Sequence, residues 1–252
     1  MQLARPLLMA AGLFSGVAAA ADEPVVFYGY AYDGESGEYL YTERHEQVLK
    51  DGRWQKGSIV YYDTEGEELG RKEMDFSVNP YIPAYTLELA SGYREGIRDV
   101  DGETATLWRR KVDEDEGTEV IDVEEEMAAD SGFHSLIYDN LDSILDGETR
   151  KFRFAVAGNL DDYSFRVRKI GEATFEGEPA ARLKVEAATL LRLIAPSLEL
   201  IYDPEDGRLL QYRGLSNIHD PATGKPFEDV RIAYYSTPPE DARGVPEGAY
   251  AD

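Results

Sequence analysis

Histidine, serine and glycine are the residues of this chain whose types could support hydrolytic chemistry, and their spacing forms no recognisable site. The three histidines are His45, His134 and His219. No two of them have the short spacing that local metal motifs use, so we expect each to be an ordinary residue at the surface or rim of the fold. The stretch Gly214-Leu215-Ser216-Asn217-Ile218 lacks the second glycine of a G-x-S-x-G nucleophile elbow. No catalytic residue is therefore predicted.

The acidic run Asp113-Glu114-Asp115-Glu116-Gly117 is the strongest candidate for a cation site. Its glycine stands one place earlier than in an EF-hand loop, and the expected pattern of Asp or Asn is incomplete. A run of like charge is more often a solvated turn. The chain has no cysteine, which excludes thiolate metal sites, disulfides and cysteine nucleophiles. The sequence therefore predicts no metal site and no cofactor.

Six basic side chains alternate with hydrophobic residues along three consecutive predicted strands. They are Lys151, Arg153, Arg166, Arg168, Arg182 and Lys184. Such a basic stripe could bind an anion or a partner protein, or it could pair with acidic residues on neighbouring strands. Pairing is favoured, because unpaired like charges on adjacent strands repel and acidic residues are abundant. We expect Arg153, Arg166 and Arg168 on the outer face, each within ion-pair reach of a carboxylate.

The composition restricts the partners of the protein. The 252 residues include 26 Lys and Arg against 50 Asp and Glu, a formal net charge of −24. That charge repels polyphosphates and anionic membrane surfaces, which argues against a nucleic-acid partner. Hydrophobic residues make up 42% of the chain, too many for a disordered protein. After the N-terminal segment no stretch is apolar enough to span a membrane, so no transmembrane segment is predicted in the mature protein.

Residues 1–21 are organised like a signal peptide. A short leading region contains Arg5, residues 6–17 are apolar, and residues 18–21 are small. We expect cleavage after Ala21, because the apolar stretch is shorter than the roughly 20 residues that span a bilayer. The sequence therefore predicts an exported protein, with the periplasm as the preferred compartment.

Short runs rich in Tyr, Val, Phe, Thr and Ile alternate with Asp-Gly and Glu-Gly turns through most of the mature chain. The connections are too short for crossover helices, which favours an antiparallel sheet. The predicted strands are 25–32, 38–49, 54–63, 67–76, 85–89, 93–100, 104–112, 118–125, 149–156, 163–175, 179–187, 197–202, 209–214 and 230–235.

One clear helix is predicted near 131–145, where apolar residues recur at helical spacing. Asp130 or Ser131 can cap its start, and Asp146-Gly147 can end it. A shorter helix is expected at 189–195, before a proline. Residues 237–252 are rich in Pro, Gly and acid and are predicted to be a mobile tail. Residues 22–236 then form a single domain.

Hydrophobic residues recur at every second position in the later strands, so one face of these strands must be buried. A sheet of about a dozen strands has to curl or split to hide such a face. The predicted fold is mainly β: a curved antiparallel sheet, as a half-barrel or open barrel, that clasps one amphipathic helix. A closed barrel or a two-sheet sandwich is the alternative. The predicted ligand-binding residues on the concave side are Phe133, Leu136, Ile137, Leu141, Phe152, Phe154, Phe165, Val167, Leu183 and Val185.

Several short segments of the sequence resemble an uncharacterised family of exported proteobacterial β-rich proteins. They are Tyr30-Ala31-Tyr32-Asp33, Leu40-Tyr41-Thr42-Glu43, Arg71-Lys72 before Asp75-Phe76-Ser77, Gly92-Tyr93-Arg94-Glu95-Gly96, Ser131-Gly132-Phe133 and Gly214-Leu215-Ser216-Asn217-Ile218. More distantly, the order of strands around an inserted helix is similar to the half-barrels of periplasmic lipoprotein carriers. The resemblance implies a fold and brings neither an activity nor a site residue.

These observations lead to one preferred hypothesis and two alternatives. The preferred hypothesis is a non-enzymatic periplasmic protein that holds an apolar or amphipathic ligand, such as a lipid, on the concave face of its sheet. The first alternative is a cell-envelope interaction or scaffold protein that binds another envelope protein and has no small-molecule site. The second is a hydrolase, which would require a histidine to meet a serine or a carboxylate in a cleft.

Overall fold

The computed structural model describes residues 24–50, 52–188 and 197–238, and most of these residues are in β-strands. The helical segments are α1 (Gly132–Asp139), α2 (Leu141–Leu145) and a 3₁₀ turn (Ala157–Asn159). The strands are β1 (Val25–Asp33), β2 (Tyr39–Lys50), β3 (Arg53–Tyr62), β4 (Glu68–Asp75), β5 (Ala84–Leu89), β6 (Arg94–Arg98), β7 (Thr104–Arg110), β8 (Gly117–Asp122), β9 (Met127–Ala129), β10 (Arg150–Val156), β11 (Asp161–Phe175), β12 (Glu178–Ala187), β13 (Leu198–Tyr202), β14 (Leu209–Gly214) and β15 (Val230–Tyr235).

All described strands belong to one open sheet in the order β8-β7-β6-β5-β4-β3-β2-β1-β15-β14-β13-β12-β11-β10-β9. Consecutive strands pair antiparallel from β1 to β8 and from β10 to β15, and β1 pairs antiparallel with β15. The predicted fold class, a mainly β protein whose curved antiparallel sheet clasps one amphipathic helix, is confirmed. Every predicted strand is present. The sequence pattern missed β9, whose three residues are too few to alternate, and β9 pairs with β10 in parallel because the two helices lie between them.

Aspartate and glycine shape the hairpin turns. The Oδ1 atom of Asp33 accepts a hydrogen bond from the backbone N–H of Ser36 at 2.7 Å, and Gly37 follows with a φ of 74°. Asp203 and Gly207, whose φ is 73°, repeat this arrangement in the turn before β14. An aspartate side chain that accepts backbone N–H bonds, followed by a glycine in the left-handed region, fixes the reversal of the chain.

The predicted single helix at 131–145 is two helices in the structure. The chain breaks at Asn140, whose φ of −115° and ψ of 7° are not helical. The Asn140 side chain donates a hydrogen bond to the carbonyl of Leu136 at 2.8 Å and accepts one from Arg150. Asparagine competes with the helical backbone in this way, and periodicity does not reveal it. Ser131 stands at the start of α1, but its hydroxyl binds Asp130 and makes no capping bond.

One face of the sheet is continuous from one half of the molecule to the other. The pairing register places Tyr41, Ile232, Tyr212, Leu200 and Leu183 in one row on the same face. This is the concave face, since its residues meet the helices and each other in the core. We call the concave residues of β10–β13, together with α1 and α2, the helix side. We call the concave residues of β2–β7 the polar side.

The end of the sheet that contains β9 and β10 is tucked inside the curve of the other end. Phe154 and Ala128 face the helices, whereas Ala155 and Met127 face the opposite way and pack with residues of β3–β7. The 3₁₀ turn after β10 contacts β6 and β7. Strand β9 is therefore buried on both faces, and β10 is buried on both faces only around Ala155, since Lys151 is exposed.

Three sequence-based predictions fall on residues outside the described ranges. These are the signal peptide at 1–21, the short helix at 189–195 and all but the first two residues of the tail at 237–252. Within the described ranges, no helix has the length and hydrophobicity needed to cross a membrane.

Candidate functional site

The structure brings the ten predicted ligand-binding residues together on the helix side. Seven are buried and three are partly buried, and all belong to one hydrophobic cluster. Leu136 and Ile137 of α1 and Leu141 of α2 fill the concave face opposite Val167 and Leu183. The helices therefore occupy most of the space that a deep ligand would need. A role of these residues in binding stays a prediction.

Four phenylalanine rings of this cluster lie against one another, and three of them are partly exposed. Phe133 of α1 lies 5.2 Å from Phe152 and 5.7 Å from Phe154, measured between ring centroids. Phe165 of β11 lies 6.1 Å from Phe152 and 6.2 Å from Phe154. Phe152 is buried, whereas the other three rings are partly exposed. We call these four residues the phenylalanine cluster.

The basic stripe lies on the opposite face and is paired, as predicted. Arg166 donates to Glu186 at 3.0 Å, and Arg168 and Lys184 each lie 3.7 Å from the same carboxylate. These hydrogen bonds and charges hold the pKa of Glu186 below its ordinary value, Arg166 having the largest effect. Arg153 pairs with Asp162 and, at 3.6 Å, with Glu124. Four of the six basic residues of the stripe thus lie within ion-pair reach of a carboxylate.

The polar side presents a row of ionisable residues that the sequence analysis did not identify. The register aligns His45 of β2, Lys72 of β4, Glu95 of β6 and Arg109 of β7 across the concave face. Residues of β3 and β5 between them are buried hydrophobics. Polar residues at inward positions look in the sequence like outward-facing ones. Along β2, the only sequence signal for inward-facing polar residues was Tyr41, a large aromatic residue on the same face of the strand.

Lys72 and Asp130 form a buried ion pair on the polar side. The Lys72 Nζ atom lies 2.7 Å from an Asp130 oxygen, and the two side chains are 5% and 9% exposed. Asp130 precedes α1 and has a positive φ of 45°, held by hydrogen bonds to the N–H and hydroxyl of Ser131. The Asn217 amide approaches the same carboxylate at 3.5 Å. This ion pair fastens the start of α1 to β4.

Glu95 is a buried carboxyl with two tyrosine partners. The hydroxyl of Tyr93 donates to it at 2.7 Å and that of Tyr85 at 3.3 Å. Burial raises the pKa of Glu95, and the tyrosine hydrogen bonds oppose this rise. Arg109 in the same row donates to the carbonyl of Gly158 in the 3₁₀ turn. A Cβ built on Gly158 would lie 2.5 Å from the carboxyl of Glu95, so only glycine fits at this contact with the tucked end.

Glu43 and His45 form a second buried pair, on β2. The His45 Nε2 atom lies 2.8 Å from Glu43, and its ring stacks on Phe27 with 4.2 Å between centroids. The prediction that every histidine lies at the surface or rim is therefore wrong for His45. The prediction failed because Glu43 lies two residues away on the same face of the strand and can pair with the inward-facing ring. Among the described residues, the His45 Nδ1 atom and the side-chain Oε1 atom of Gln47 are buried without a hydrogen-bond partner.

The other two histidines are packed among aromatic rings. His134 of α1 lies 5.0 Å from the Trp54 ring and bonds the Tyr202 hydroxyl at 3.0 Å, and so joins β3 to β13 across the concave face. Burial lowers the pKa of His134 to about 4. His219 lies 4.6 Å from the ring of Tyr93, and burial also lowers its pKa.

Two open grooves on the described surface lie away from these histidines. The larger, about 350 Å³, separates β8 from the corner between β10 and β11. The smaller, about 260 Å³, is lined by Ser197, Glu199, Arg213, Gly214, Glu228 and Asp229. Neither groove is lined by a histidine. In the described ranges, no three His, Asp or Glu side chains come together as a metal site.

No protein-family model matches the chain, and no curated protein matches it. Two solved structures align with most of this chain. The first is a β-barrel-like protein of domain of unknown function DUF1849 from Brucella abortus, with 7% identity and a TM-score of 0.48 over 85% of this chain and 98% of that one. The second is a domain from Vibrio parahaemolyticus described as an outer membrane lipoprotein-sorting protein, with 9% identity and a TM-score of 0.27 over 84% of this chain and 82% of that one.

Proposed function

We propose that this chain is an exported, non-enzymatic periplasmic protein that holds an apolar or amphipathic ligand, such as a lipid chain, against the phenylalanine cluster. The observation that carries the proposal is the partial exposure of Phe133, Phe154 and Phe165 around the buried Phe152. Three partly exposed rings that touch one another form a local apolar surface. Surfaces of this kind in soluble proteins are often binding sites.

The geometry makes the proposed site shallow. The helices already fill the concave face beneath the phenylalanine cluster, so an acyl chain would lie along the rings between α1 and the start of β11. Covering apolar surface contributes about 25 cal/mol per Å². A ligand chain that covers the three exposed ring edges would therefore bind through hydrophobic contact and would need no buried charge.

Two further observations support the non-enzymatic and exported parts of the proposal. The Glu43–His45 pair is buried away from both open grooves, and neither groove is lined by a histidine. The N-terminal residues 1–21 have the composition of a cleaved signal peptide. Recovery of the chain from the periplasmic fraction with a new N-terminus at Asp22 would support export, and a retained residue 1 would contradict it.

The binding part is tested with N-phenyl-1-naphthylamine, an uncharged probe whose fluorescence rises in apolar surroundings. We expect saturable binding to the purified mature chain, weakened about tenfold or more by Phe154→Ala or Phe165→Ala, because each removes a ring edge from the surface. Phe175→Ala is the matched control, since Phe175 lies on the same strand β11 but contacts Tyr235. Equal loss in the control, or no saturable binding by the wild type, would contradict the proposal.

A further inference from the structure

Strand β8 ends the sheet, and half of its backbone groups point away from β7. The N–H of Val123 donates to the carbonyl of Glu103 at 2.8 Å, which fixes the hydrogen-bonding phase of this hairpin. Because the direction alternates along a strand, residues 117, 119 and 121 bond towards β7. The N–H and C=O groups of Thr118, Val120 and Asp122 therefore point outward. In the described part of the chain no backbone hydrogen bond to another strand takes up these groups.

The outer edge of β8 is protected against strand addition only by acidic side chains. Sheet edges are commonly shielded by proline, by charged side chains such as lysine, or by a bulge. The strand Gly117–Asp122 contains neither proline nor lysine, and its pairing with β7 has no register shift. Thr118, Glu119, Val120 and Asp122 are exposed, and Val120 is 62% exposed. A straight, accessible edge of this kind can accept another strand.

The larger groove runs along this edge and is strongly acidic. It is lined by Glu119, Val120, Ile121, Asp122, Glu124, Arg153, Leu160, Asp161 and Asp162. Five carboxylates thus face one guanidinium, and that group, Arg153, already pairs with Glu124 and Asp162. At one end the groove is closed by Leu160, whose side chain would lie 3.0 Å from a Cβ built on Gly117. An occupant must therefore be extended, narrow and basic.

We propose that the edge of β8 binds a basic, extended segment of a partner protein as an added strand. Backbone hydrogen bonds to Thr118, Val120 and Asp122 would give affinity, and lysine or arginine side chains in the groove would meet its carboxylates. A second copy of this chain is disfavoured as the occupant, because two β8 edges would bring their acidic side chains together. The proposal concerns a different surface from the phenylalanine cluster and is independent of the proposed ligand.

The test measures fluorescence anisotropy of a labelled peptide, Thr-Lys-Val-Lys-Thr-Lys-Val-Lys, with the purified mature protein at low salt. We expect the lysine peptide to bind and a peptide with Glu in place of Lys to bind at least about a hundredfold more weakly. Two further lysine peptides carry backbone N-methyl groups on alternate residues. One is methylated on the odd-numbered residues and the other on the even-numbered residues. Only one of these two should bind, because an added strand uses the N–H groups of one set alone.

Variants of the protein separate strand addition from general attraction of charge. Val120→Pro removes an outward N–H and leaves the bonds to β7 in place, so peptide binding should fall about tenfold or more while circular dichroism stays unchanged. Glu119→Gln with Asp122→Asn should also weaken binding about tenfold. The matched control is Asp115→Asn with Glu125→Gln, which removes the same charge from exposed residues outside the groove and should bind within about twofold of the wild type.

Three results would overturn the proposal. Equal weakening by the two charge-neutralised proteins would indicate non-specific attraction to an acidic protein. Unchanged binding to Val120→Pro, or equal binding of both N-methylated peptides, would exclude strand addition. A wild-type protein that sediments as a dimer, with Val120→Pro as a monomer, would assign the edge to a second copy. Naphthylamine binding at the phenylalanine cluster should be unaffected throughout, so failure here is distinguishable from failure of the proposed ligand site.

Discussion

The helix side and the polar side cover one continuous concave face and bury it in different ways. On the helix side, aromatic and aliphatic residues of β10–β13 pack against α1 and α2. On the polar side, Lys72 pairs with Asp130 and Arg109 donates to Gly158, both near the tucked end. Glu95 accepts hydrogen bonds from Tyr85 and Tyr93 of its own end of the sheet. Apolar packing needs complementary shape, whereas each polar contact needs a named partner at hydrogen-bond distance. The polar side therefore holds the tucked end through specific polar partners, and both sides also bury a hydrophobic cluster.

This division explains why an open sheet can be curved tightly without closing. Strands β8 and β9 do not pair, so no ladder of hydrogen bonds joins the two ends of the sheet. The Lys72–Asp130 ion pair and the bond from Arg109 to Gly158 join them through side chains. A barrel closed by pairing would have left no free edge. Here the outer edge of β8 stays unpaired. The groove along it exists because side chains, and not paired strands, join the two ends of the sheet.

The largest expected effect concerns packing on the helix side. Phe152→Ala should lower the free energy of unfolding by about 4 kcal/mol, because it removes a ring that is 4% exposed and leaves a cavity. Phe154→Ala should cost about half as much, since that ring is partly exposed. Urea denaturation followed by tyrosine and tryptophan fluorescence measures both. Equal losses would mean that the exposed rim of the phenylalanine cluster is covered in solution.

The next effect concerns the polar side. Lys72→Met should cost about 3 kcal/mol, because it leaves the Asp130 carboxylate buried without its cation. Adding Asp130→Asn should recover part of that loss, since the charge that needed a partner is gone. Arg71→Met is the matched control: Arg71 lies next in sequence, on the opposite face, in an exposed pair with Glu68. A double variant as unstable as the sum of its single variants would contradict the pairing.

The sequence allowed much of the fold and the helix side to be predicted, and the reasons are specific. Phe152 and Phe154 alternate with Lys151 and Arg153, and period-two alternation determines which side of a strand is buried. Asp33 and Gly37 mark a turn by their own chemistry. These signals are local, so they can be interpreted without knowing which strands pair.

The polar side could not be predicted, because its residues are defined by partners far away in the sequence. Lys72 and Asp130 are 58 residues apart, and Arg109 and Gly158 are 49 apart. An inward lysine on β4 has the same local pattern as an outward one until the tucked end is placed against it. The break at Asn140 was hidden for a related reason, since its bond to Arg150 depends on where β10 begins.

A smaller effect should appear as pH is lowered. His134 joins the two sides, and burial lowers its pKa from 6.5 to about 4. Between these values the unfolded chain binds a proton that the folded chain does not, so stability falls as pH decreases from about 6.5 towards 4. We expect the wild type to lose about 2 kcal/mol more over this range than His134→Phe. Urea denaturation at each pH measures both proteins. If both lose the same stability as pH falls, His134 can bind a proton in the folded state and the prediction is wrong.

The smallest effect distinguishes the two faces of the sheet. Arg166→Ala should cost under about 1 kcal/mol, because its pair with Glu186 is partly exposed and weakened by solvent. Val167→Ala, one residue further on the same strand, should cost about 2 kcal/mol, because Val167 is fully buried on the helix side. Since Arg166 holds the pKa of Glu186 down, its contribution is present at neutral pH and should fade as pH falls and that carboxylate is protonated. It should also fade in high salt. A larger loss for Arg166→Ala than for Val167→Ala at neutral pH would mean that the basic stripe, and not the hydrophobic face, is the buried side of β11.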